Sequence, residues 1–179
     1  ADAIANAGIP VVALRIDRIA DFERCVRILG TLTGRRDGAQ EAIDSVRRTL
    51  DVVRRATQHV QRTSVFLHVW DNPLMAIGGG SFMSELVEIA GGRNVYADLP
   101  ERSPQVSFED LVRRDPDAIL AGPLEVSRLN ADARWRSLRA VRDGRVLAYD
   151  TSLVARPSMR LGEAARSLAR LLHPDVVLP

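Results

Sequence analysis

Helix, helix and strand patterns follow one another in the middle of the chain, and this succession constrains the fold most. Phe82, Leu86 and Ile89 recur at steps of four and three, which places them on one apolar face of a short helix. Ser107 is a predicted N-cap for a second short helix. The apolar run 118–121 that follows is short enough to be a buried strand. This order is typical of an α/β fold.

Further segments extend the α/β pattern on both sides. Residues 65–69 and 146–149 are rich in β-branched and aromatic side chains, so we predict two more strands there. A short helix is predicted over 132–138 and a closing helix over 158–172, with His173 next to a proline that stops it.

The longest predicted helix runs over residues 37–62. Asp37 and Gln40 form a predicted capping box at its start, and its length would be about 38 Å. From the residues alone it is interpreted as a surface helix of one domain. Its apolar stripe, at steps of three and four, consists of Ala39, Ile43, Val46, Leu50, Val53, Thr57 and Val60.

The patterns at the start of the sequence predict a helix end and a strand that lack partner elements. Residues 1–8 resemble the end of a helix closed by a glycine, 11–14 a short strand, and 19–33 a helix that buries Cys25 as a structural thiol. A lone strand needs neighbours for its backbone. We therefore expect a truncated or proteolysed chain, or one whose front half is supplied separately. A dimer in which two copies exchange the strand at 11–14 is a further hypothesis.

Composition excludes several classes of protein. The chain has 179 residues and a net charge of +2. It contains many arginines and no lysine. These arginines alternate with acidic residues along predicted helices, which is typical of a solvated face and argues against nucleic-acid binding. No apolar run approaches the roughly 20 residues that span a bilayer. The single cysteine excludes an internal disulfide and a thiolate cluster.

No group of residues predicts catalysis. His59 and His173 are predicted to be surface or capping residues. The glycine run 78–80 has no lysine after it and so does not match a phosphate-binding loop. Glu85 and Glu88 are predicted to be solvated. We assign no catalytic residue, no cofactor and no metal site, because three scattered histidines do not supply clustered ligands.

Binding residues are expected in the loops beyond the carboxyl ends of the strands. The predicted strand 65–69 leads directly into Trp70, Asp71, Asn72 and Met75. Trp and Met beside polar groups suit a large, partly apolar ligand, although both side chains would also suit a core. His68 precedes them, and its side chain faces either the ligand or the core.

A second loop, residues 150–157, follows the third strand and contains Arg156. A guanidinium there offers planar hydrogen bonds to amides or carboxylates of a ligand. The alternative is a structural salt bridge.

Five segments, in order, resemble one family. They read GGRNVYADLP, SPQVSFEDLV, DPDAILAG, AVRDGRVLAYD and RPSMRLGEAARSLARLLHP. Together they resemble the C-terminal lobe of substrate-binding proteins of ABC importers, in the class whose lobes are joined by a helical backbone. The resemblance implies a two-lobe α/β protein with no enzymatic activity. Residues 1–36 would be the remnant of an incomplete first lobe, 37–62 the linking helix, and 63–179 a complete α/β sandwich with a central, mostly parallel sheet.

The resemblance also implies the ligand. The segment VFLHVWDNPLM is similar to the ligand loop of vitamin B12-binding members, so a corrinoid such as cobalamin is expected in the cleft between lobes. A ferric siderophore or haem is the alternative. Arg156 matches a polar contact position. Ser103 matches a position that is aromatic in some B12 binders, and this departure leaves room for another ligand.

A partner and a location follow from the same resemblance. Glu109 matches the exposed carboxylate that docks against arginines of the membrane permease. The protein is then expected in the periplasm or otherwise outside the cytoplasm, as a lipid-anchored protein in a Gram-positive cell, with any signal peptide removed. A nitrogenase-like enzyme subunit is a distant rival, and it would need cluster-binding cysteines.

Overall fold

The computed structural model describes residues 4, 6–8 and 10–178. Two helices lie between residue 10 and the first strand: α1 (Ile19–Leu32) and α2 (Arg36–Thr57). The remaining elements are β1 (Thr63–Asp71), β2 (Leu74–Ala76), α3 (Phe82–Ile89), β3 (Gly92–Asn94), α4 (Phe108–Arg114), β4 (Ala118–Ala121), α5 (Pro123–Ala131), a 3-10 turn (Trp135–Ser137), α6 (Arg139–Arg142), β5 (Val146–Ala148), α7 (Thr151–Val154) and α8 (Leu161–Leu172).

The five strands form one sheet in which parallel pairing dominates. The order along the sheet is β2, β1, β4, β5, and β3 also pairs with β1. β3, β4 and β5 run parallel to their neighbours, while β2 turns back antiparallel along the last residues of β1. The predicted α/β fold with a central, mostly parallel sheet is therefore confirmed. Parallel β1 and β4 bring their carboxyl ends to the same edge of the sheet.

Helices cover both faces of the sheet, because side chains along each central strand alternate between two cores. In β1, Val65 and Leu67 lie in a core with helices α2, α3 and α8. Phe66, between them, lies in the opposite core with Trp135. Ile119 of β4 lies in that second core, while its neighbours lie in the first. The strands are thus buried on both faces, as their continuous apolar sequences predict.

The amphipathic stripe of α2 is buried as predicted, but the helix has different ends. It begins at Arg36 with Arg35 as N-cap, so the predicted capping box is wrong and Asp37 lies in the first turn. Its carboxyl end is at Thr57, where the hydroxyl donates to the carbonyl oxygens of Val53 and Ile89 at 3.1 and 2.8 Å. This contact anchors the last turn to α3 and directs the chain towards β1, before the predicted end at residue 62.

The predicted strand at 11–14 is wrong. Residues 10–16 have no regular secondary structure, and Val12 is 58% exposed. Among the described residues no strand pairs with this segment, and an unpaired segment gains nothing from extended backbone. Cys25 of α1 is buried, with its Sγ 3.9 Å from the Arg15 carbonyl oxygen, as predicted for a structural thiol. The helix end predicted over 1–8 lies partly outside the described residues; Gly8 has the positive φ of 75° expected there.

The helix predicted over 132–138 is also wrong. Only the turn Trp135–Ser137 lies there, and the real helix, α5, precedes it. α5 starts with Pro123 in its first turn and buries only Leu129, so it has no apolar stripe from which to predict it. The closing helix begins at Leu161, three residues later than expected, and ends at Leu172 as predicted, with His173 as its C-cap. The predicted capping position of His173 is thus confirmed, and its Nε2 lies 3.0 Å from the Gly91 carbonyl oxygen, which ties the end of α8 to the residue after α3 and its cap.

Candidate functional site

The carboxyl end of β1 opens into a cavity of about 550 Å³, which we call the β1 cavity. Two elements supply its walls: the hairpin of β1 and β2, and the first turns of α5. Its lining residues are His68, Val69, Trp70, Asp71, Asn72, Glu125 and Arg128. Because α5 begins directly after β4, the parallel pairing of β1 with β4 places the hairpin and the helix at one edge of the sheet.

His68 lies at the bottom of this cavity and faces the second core as well. Its side chain is only 2% exposed. The imidazole meets the ring of Trp135 edge to face, with 5.5 Å between the ring centroids. Its Nε2 lies 2.9 Å from Asp71 Oδ1. The core-facing interpretation of His68 is therefore confirmed. The same side chain also lines the cavity, and its contact with a ligand stays a prediction.

Trp70 lies at the mouth of the cavity. The pairing register of β1 with β2 shifts between His68 and Trp70, and this bulge takes Trp70 off the buried face of the strand. The indole is 63% exposed, and its Nε1 donates to the Asn72 carbonyl oxygen at 3.0 Å. The interpretation of Trp70 as a core residue is wrong. A large aromatic face held by its own hydrogen bond is open to solvent here.

A network of charges forms the wall opposite Trp70. The Arg128 guanidinium pairs with carboxylate oxygens of Asp71 and Glu125, and Asp71 uses its other oxygen for His68. Burial disfavours the charged guanidinium, but hydrogen bonds and charge from Glu125 and Asp71 outweigh it and raise the pKa of Arg128. The cavity thus combines an exposed indole with imidazole, carboxylate and guanidinium groups.

The sequence predicted four of these lining residues, His68, Trp70, Asp71 and Asn72, and missed Glu125 and Arg128. The signal for the missed pair was nonlocal. Their spacing of three places both on one side of α5, but only the pairing of β1 with β4 brings that side to the hairpin.

Three predicted ligand residues do not line the β1 cavity. Met75 lies half-buried in β2, where it bridges to Gln105, and half-buried Ser103 precedes α4. Arg156 is exposed and follows the one-turn helix α7, which Asp150 caps. Within the described part of the chain Arg156 has no ion pair, so the alternative of a structural salt bridge finds no partner there. All three stay predictions as ligand contacts.

Glu109 projects from a helix that is firmly anchored. It lies exposed in the first turn of α4, whose predicted cap is confirmed by the Asp110 amide donating to Ser107 Oγ at 3.0 Å. Arg114 of the same helix pairs with Asp98 and Asp110 and lies 4.4 Å above the Tyr96 ring centre. The hydrogen bond from Arg114 lowers the pKa of Asp98. These contacts fix α4, and they leave the Glu109 carboxylate outward.

The prediction of a solvated pair at Glu85 and Glu88 is wrong for Glu85. Its carboxylate accepts from Arg18 Nε at 2.8 Å and from the Ile19 amide at 2.7 Å, which ties α3 to the start of α1. Glu88, more exposed, pairs with Arg62.

A larger cavity of about 840 Å³ lies among α1, α2 and α3, but its charges are already matched. Each of its four arginines pairs with an acidic residue of the same lining: Arg18 with Glu85, Arg47 with Glu23, Arg54 with Asp51, and Arg62 with Glu88. This balance leaves no excess charge to select a ligand, so the β1 cavity is the stronger candidate site.

The glycine run 78–80 has a packing role. A Cβ on Gly79 would lie 2.2 Å from the Ala97 carbonyl oxygen, and Gly78 and Gly80 approach the backbone of residues 99–101 equally closely. The run therefore lets two loop segments meet without side chains between them. No helix among the described residues is both long and apolar enough to cross a membrane.

Comparison with known proteins shows which family this chain belongs to. Residues 1–153 match the model of the family described as periplasmic binding protein. The vitamin B12-binding protein of Pectobacterium atrosepticum is 26% identical over 94% of this chain and 61% of its own length. The cobalamin-binding protein of Halobacterium salinarum is 29% identical over 96% of this chain and 49% of its own length. The chain thus spans about half to three-fifths of these relatives.

Solved structures share the fold. An ABC transporter substrate-binding protein from Listeria monocytogenes superposes with a TM-score of 0.88 at 21% identity, over 97% of this chain and 72% of its own. A periplasmic vitamin B12-binding protein of Vibrio cholerae gives a TM-score of 0.76 at 22% identity, over 96% and 68%. A periplasmic haem-binding protein from Roseiflexus gives 0.83 at 19%, over 97% and 70%.

Proposed function

Because this chain belongs to the periplasmic binding protein family, we propose that it is part of the substrate-binding component of an ABC importer. In this role it captures a small molecule outside the cytoplasm and delivers it to a membrane permease. Capture needs no bond to be made or broken, so complementary surfaces are sufficient. The β1 cavity supplies such a surface.

The proposed ligand is a corrinoid, with cobalamin as its representative. The single observation that carries this choice is Trp70, which is 63% exposed at the mouth of a cavity with a polar floor. A flat, partly apolar ring system with amide side arms matches an indole face beside carboxylate and guanidinium groups. The B12-binding and cobalamin-binding relatives support the same choice.

The size of the cavity also has a consequence. A volume of about 550 Å³ is in the range that encloses a drug-sized molecule, whereas a corrin with its side arms is considerably larger. The β1 cavity therefore holds one side of the ligand, and Trp70 covers one face. We propose that the rest of the ligand contacts Arg156, Met75 and Ser103, outside this cavity, and the opposite lobe.

A ferric siderophore or haem is the second candidate, favoured by one observation. Arg156 is exposed without an ion pair among the described residues. Planar guanidinium groups bind carboxylates in pairs of hydrogen bonds, and haem and several siderophores present carboxylates. The haem-binding protein of similar fold is consistent with this alternative.

Titration of tryptophan fluorescence tests the ligand. Trp70 and Trp135 are the two tryptophans of the chain, and Trp135 is buried, so a Trp135→Phe variant leaves Trp70 as the sole reporter. We expect saturable quenching by cyanocobalamin. In a calorimetric titration, which needs no tryptophan, Trp70→Ala should weaken binding more than about tenfold, the loss of an aromatic anchor. Leu32→Ala, which truncates a side chain 62% exposed on α1, is the matched control and should bind normally.

Free tryptophan amide, titrated in parallel, corrects for light absorbed by the ligand. Saturation by haemin or a ferric siderophore with no response to cobalamin would replace the corrinoid by the second candidate. An unchanged affinity of Trp70→Ala for every ligand that binds would contradict the role of the β1 cavity.

A further inference from the structure

Three side chains in the β1 cavity offer donor atoms of the kinds that transition metals bind. His68 supplies an imidazole nitrogen, and Asp71 and Glu125 supply one carboxylate oxygen each; all three atoms lie within 4.8 Å of one another. The three residues come from two different elements, β1 and α5. Because β1 pairs with β4 and α5 follows β4, the fold itself places these three side chains next to one another.

The environment of His68 makes it a well-positioned ligand. Its side chain is 2% exposed, and Trp135 and Phe66 meet its ring at centroid distances of 5.5 and 6.3 Å. These rings fix the plane of the imidazole, and its Nε2 points to Asp71 at the floor of the cavity. A side chain whose rotamer is already fixed loses little conformational entropy when it coordinates a metal ion.

A cation already occupies part of this cluster. The Arg128 guanidinium pairs with both carboxylates, Asp71 and Glu125, and thereby neutralises them in the absence of any ion. The Arg128 side chain is 44% exposed, so it can turn outward into solvent. A divalent ion that replaces it finds two carboxylates that are already close together.

We propose that His68, Asp71 and Glu125 form a binding site for a divalent transition-metal ion, with Arg128 as the resident cation that the ion displaces. One imidazole and two carboxylates suit Zn²⁺ or Co²⁺, and three protein ligands leave a further position open to water or to a donor from another molecule. The proposal goes beyond corrinoid capture, because the ligand is the ion itself.

Calorimetric titration of the purified, chelator-treated protein with zinc chloride tests this site. One equivalent should bind, and Glu125→Gln should weaken binding more than about tenfold, as for the loss of a group that supports a metal. The Glu125 side chain is 39% exposed and glutamine has the same size, so this variant should fold. His68→Ala should abolish binding, and His59→Ala, which removes an exposed histidine of another region, should leave it unchanged.

Arg128→Gln provides the sharpest test, because it removes a competing cation and keeps every ligand. It should bind zinc more tightly than the unaltered protein. Absence of saturable binding by the unaltered protein, unchanged affinity of Glu125→Gln, or weaker binding by Arg128→Gln would each overturn the proposal. The titration contains no corrinoid, so its failure leaves the proposed function standing, and failure of the cobalamin titration leaves this site standing.

Discussion

His68 and Trp70 are two residues apart and lie in opposite environments. The imidazole of His68 is enclosed by aromatic rings, while the indole of Trp70 is largely exposed to solvent. The bulge between them separates the two, because the register shift ends the alternation of the strand. Strand alternation alone predicts that both lie on one face, so the sequence could not reveal this difference. The residue types in the segment, by contrast, were sufficient to single out four residues that line the β1 cavity.

The carboxylate of Asp117 links β1 to the start of β4 through hydrogen bonds. Its Oδ2 accepts from the Ser64 amide and hydroxyl at 2.9 and 2.6 Å, and its Oδ1 accepts from Arg139 Nη2 at 2.7 Å. Ser64 lies in β1, and Asp117 directly precedes β4. Partial burial tends to raise the pKa of Asp117, but the hydrogen bonds from Ser64 and Arg139 outweigh it and lower the pKa below the ordinary value of 3.8.

We predict that Asp117→Ala lowers the free energy of unfolding at neutral pH by about 1–3 kcal/mol, the cost of leaving its buried donors unpaired. The carboxylate stabilises the fold fully above pH 3.8, and this contribution is lost as the pH falls through its lower folded-state pKa. The difference between the two proteins should therefore shrink on acidification. Urea unfolding at a series of pH values measures it.

Asp143→Ala is the matched control, because this exposed carboxylate follows α6 without a side-chain hydrogen bond among the described residues. It should change the free energy of unfolding by less than about 0.5 kcal/mol. A difference for Asp117→Ala that stays constant or grows below pH 3.8 would contradict the linkage.

At the scale of elements, close contacts between backbones decide where side chains are tolerated. Gly79 donates its amide to the Leu99 carbonyl oxygen at 2.8 Å, and its Cα faces the carbonyl of Ala97. Gly38, by contrast, lies exposed in α2, where an added Cβ meets nothing within 4 Å. The same substitution should therefore have opposite effects at these two positions.

We predict that Gly79→Ala destabilises the protein by about 1–3 kcal/mol through overpacking. Gly38→Ala should stabilise it by about 0.5–1 kcal/mol, because alanine loses less backbone entropy in a helix. Thermal unfolding of the two variants beside the unaltered protein provides the comparison. A neutral Gly79→Ala would mean that the loops 78–80 and 97–101 do not meet as closely as described.

Elements with an extensive buried surface were predictable, and those with little buried surface were missed. The apolar stripes of α2, α3 and α8 have the period of a helix with one buried face. The continuous apolar runs of β1 and β4 are those of strands buried on both faces. α5 buries one leucine only, and β2 is three residues long, so neither has a period to detect. The segment 11–14 has the composition of a strand, but no partner among the described residues pairs with it.

At the scale of the whole molecule, the topology brings the functional groups together. Glu125 and Arg128 reach the hairpin because β4 pairs with β1 and the helix after β4 starts at the same edge. Such nonlocal proximity leaves no trace in local sequence, which explains why Glu125 and Arg128 were missed. The division into lobe remnant, linking helix and second lobe stays a prediction, as does the exchanged-strand dimer. A monomeric mass in light scattering would exclude that dimer.

Glu109 yields a prediction about delivery to the permease. The carboxylate is exposed on an anchored helix, away from the β1 cavity lining. Glu109→Ala should therefore leave ligand binding unchanged and reduce ligand uptake by cells that carry the cognate permease, and Glu109→Arg should reduce uptake further, because a like charge then faces the permease arginines. Glu41→Ala, an exposed carboxylate on α2, is the control. Normal uptake by Glu109→Arg would contradict the docking role.

The most direct measurement of the central claim is calorimetric titration of the unaltered protein with cyanocobalamin, with haemin and a ferric siderophore titrated separately under the same conditions. A corrinoid-binding protein of an importer should take up one equivalent of cobalamin, with the affinity for cobalamin well above that for the other two ligands. Heat from haemin or the siderophore alone would assign a different cargo to the same family. No heat from any of the three would contradict the account of the β1 cavity as a capture site for metal chelates.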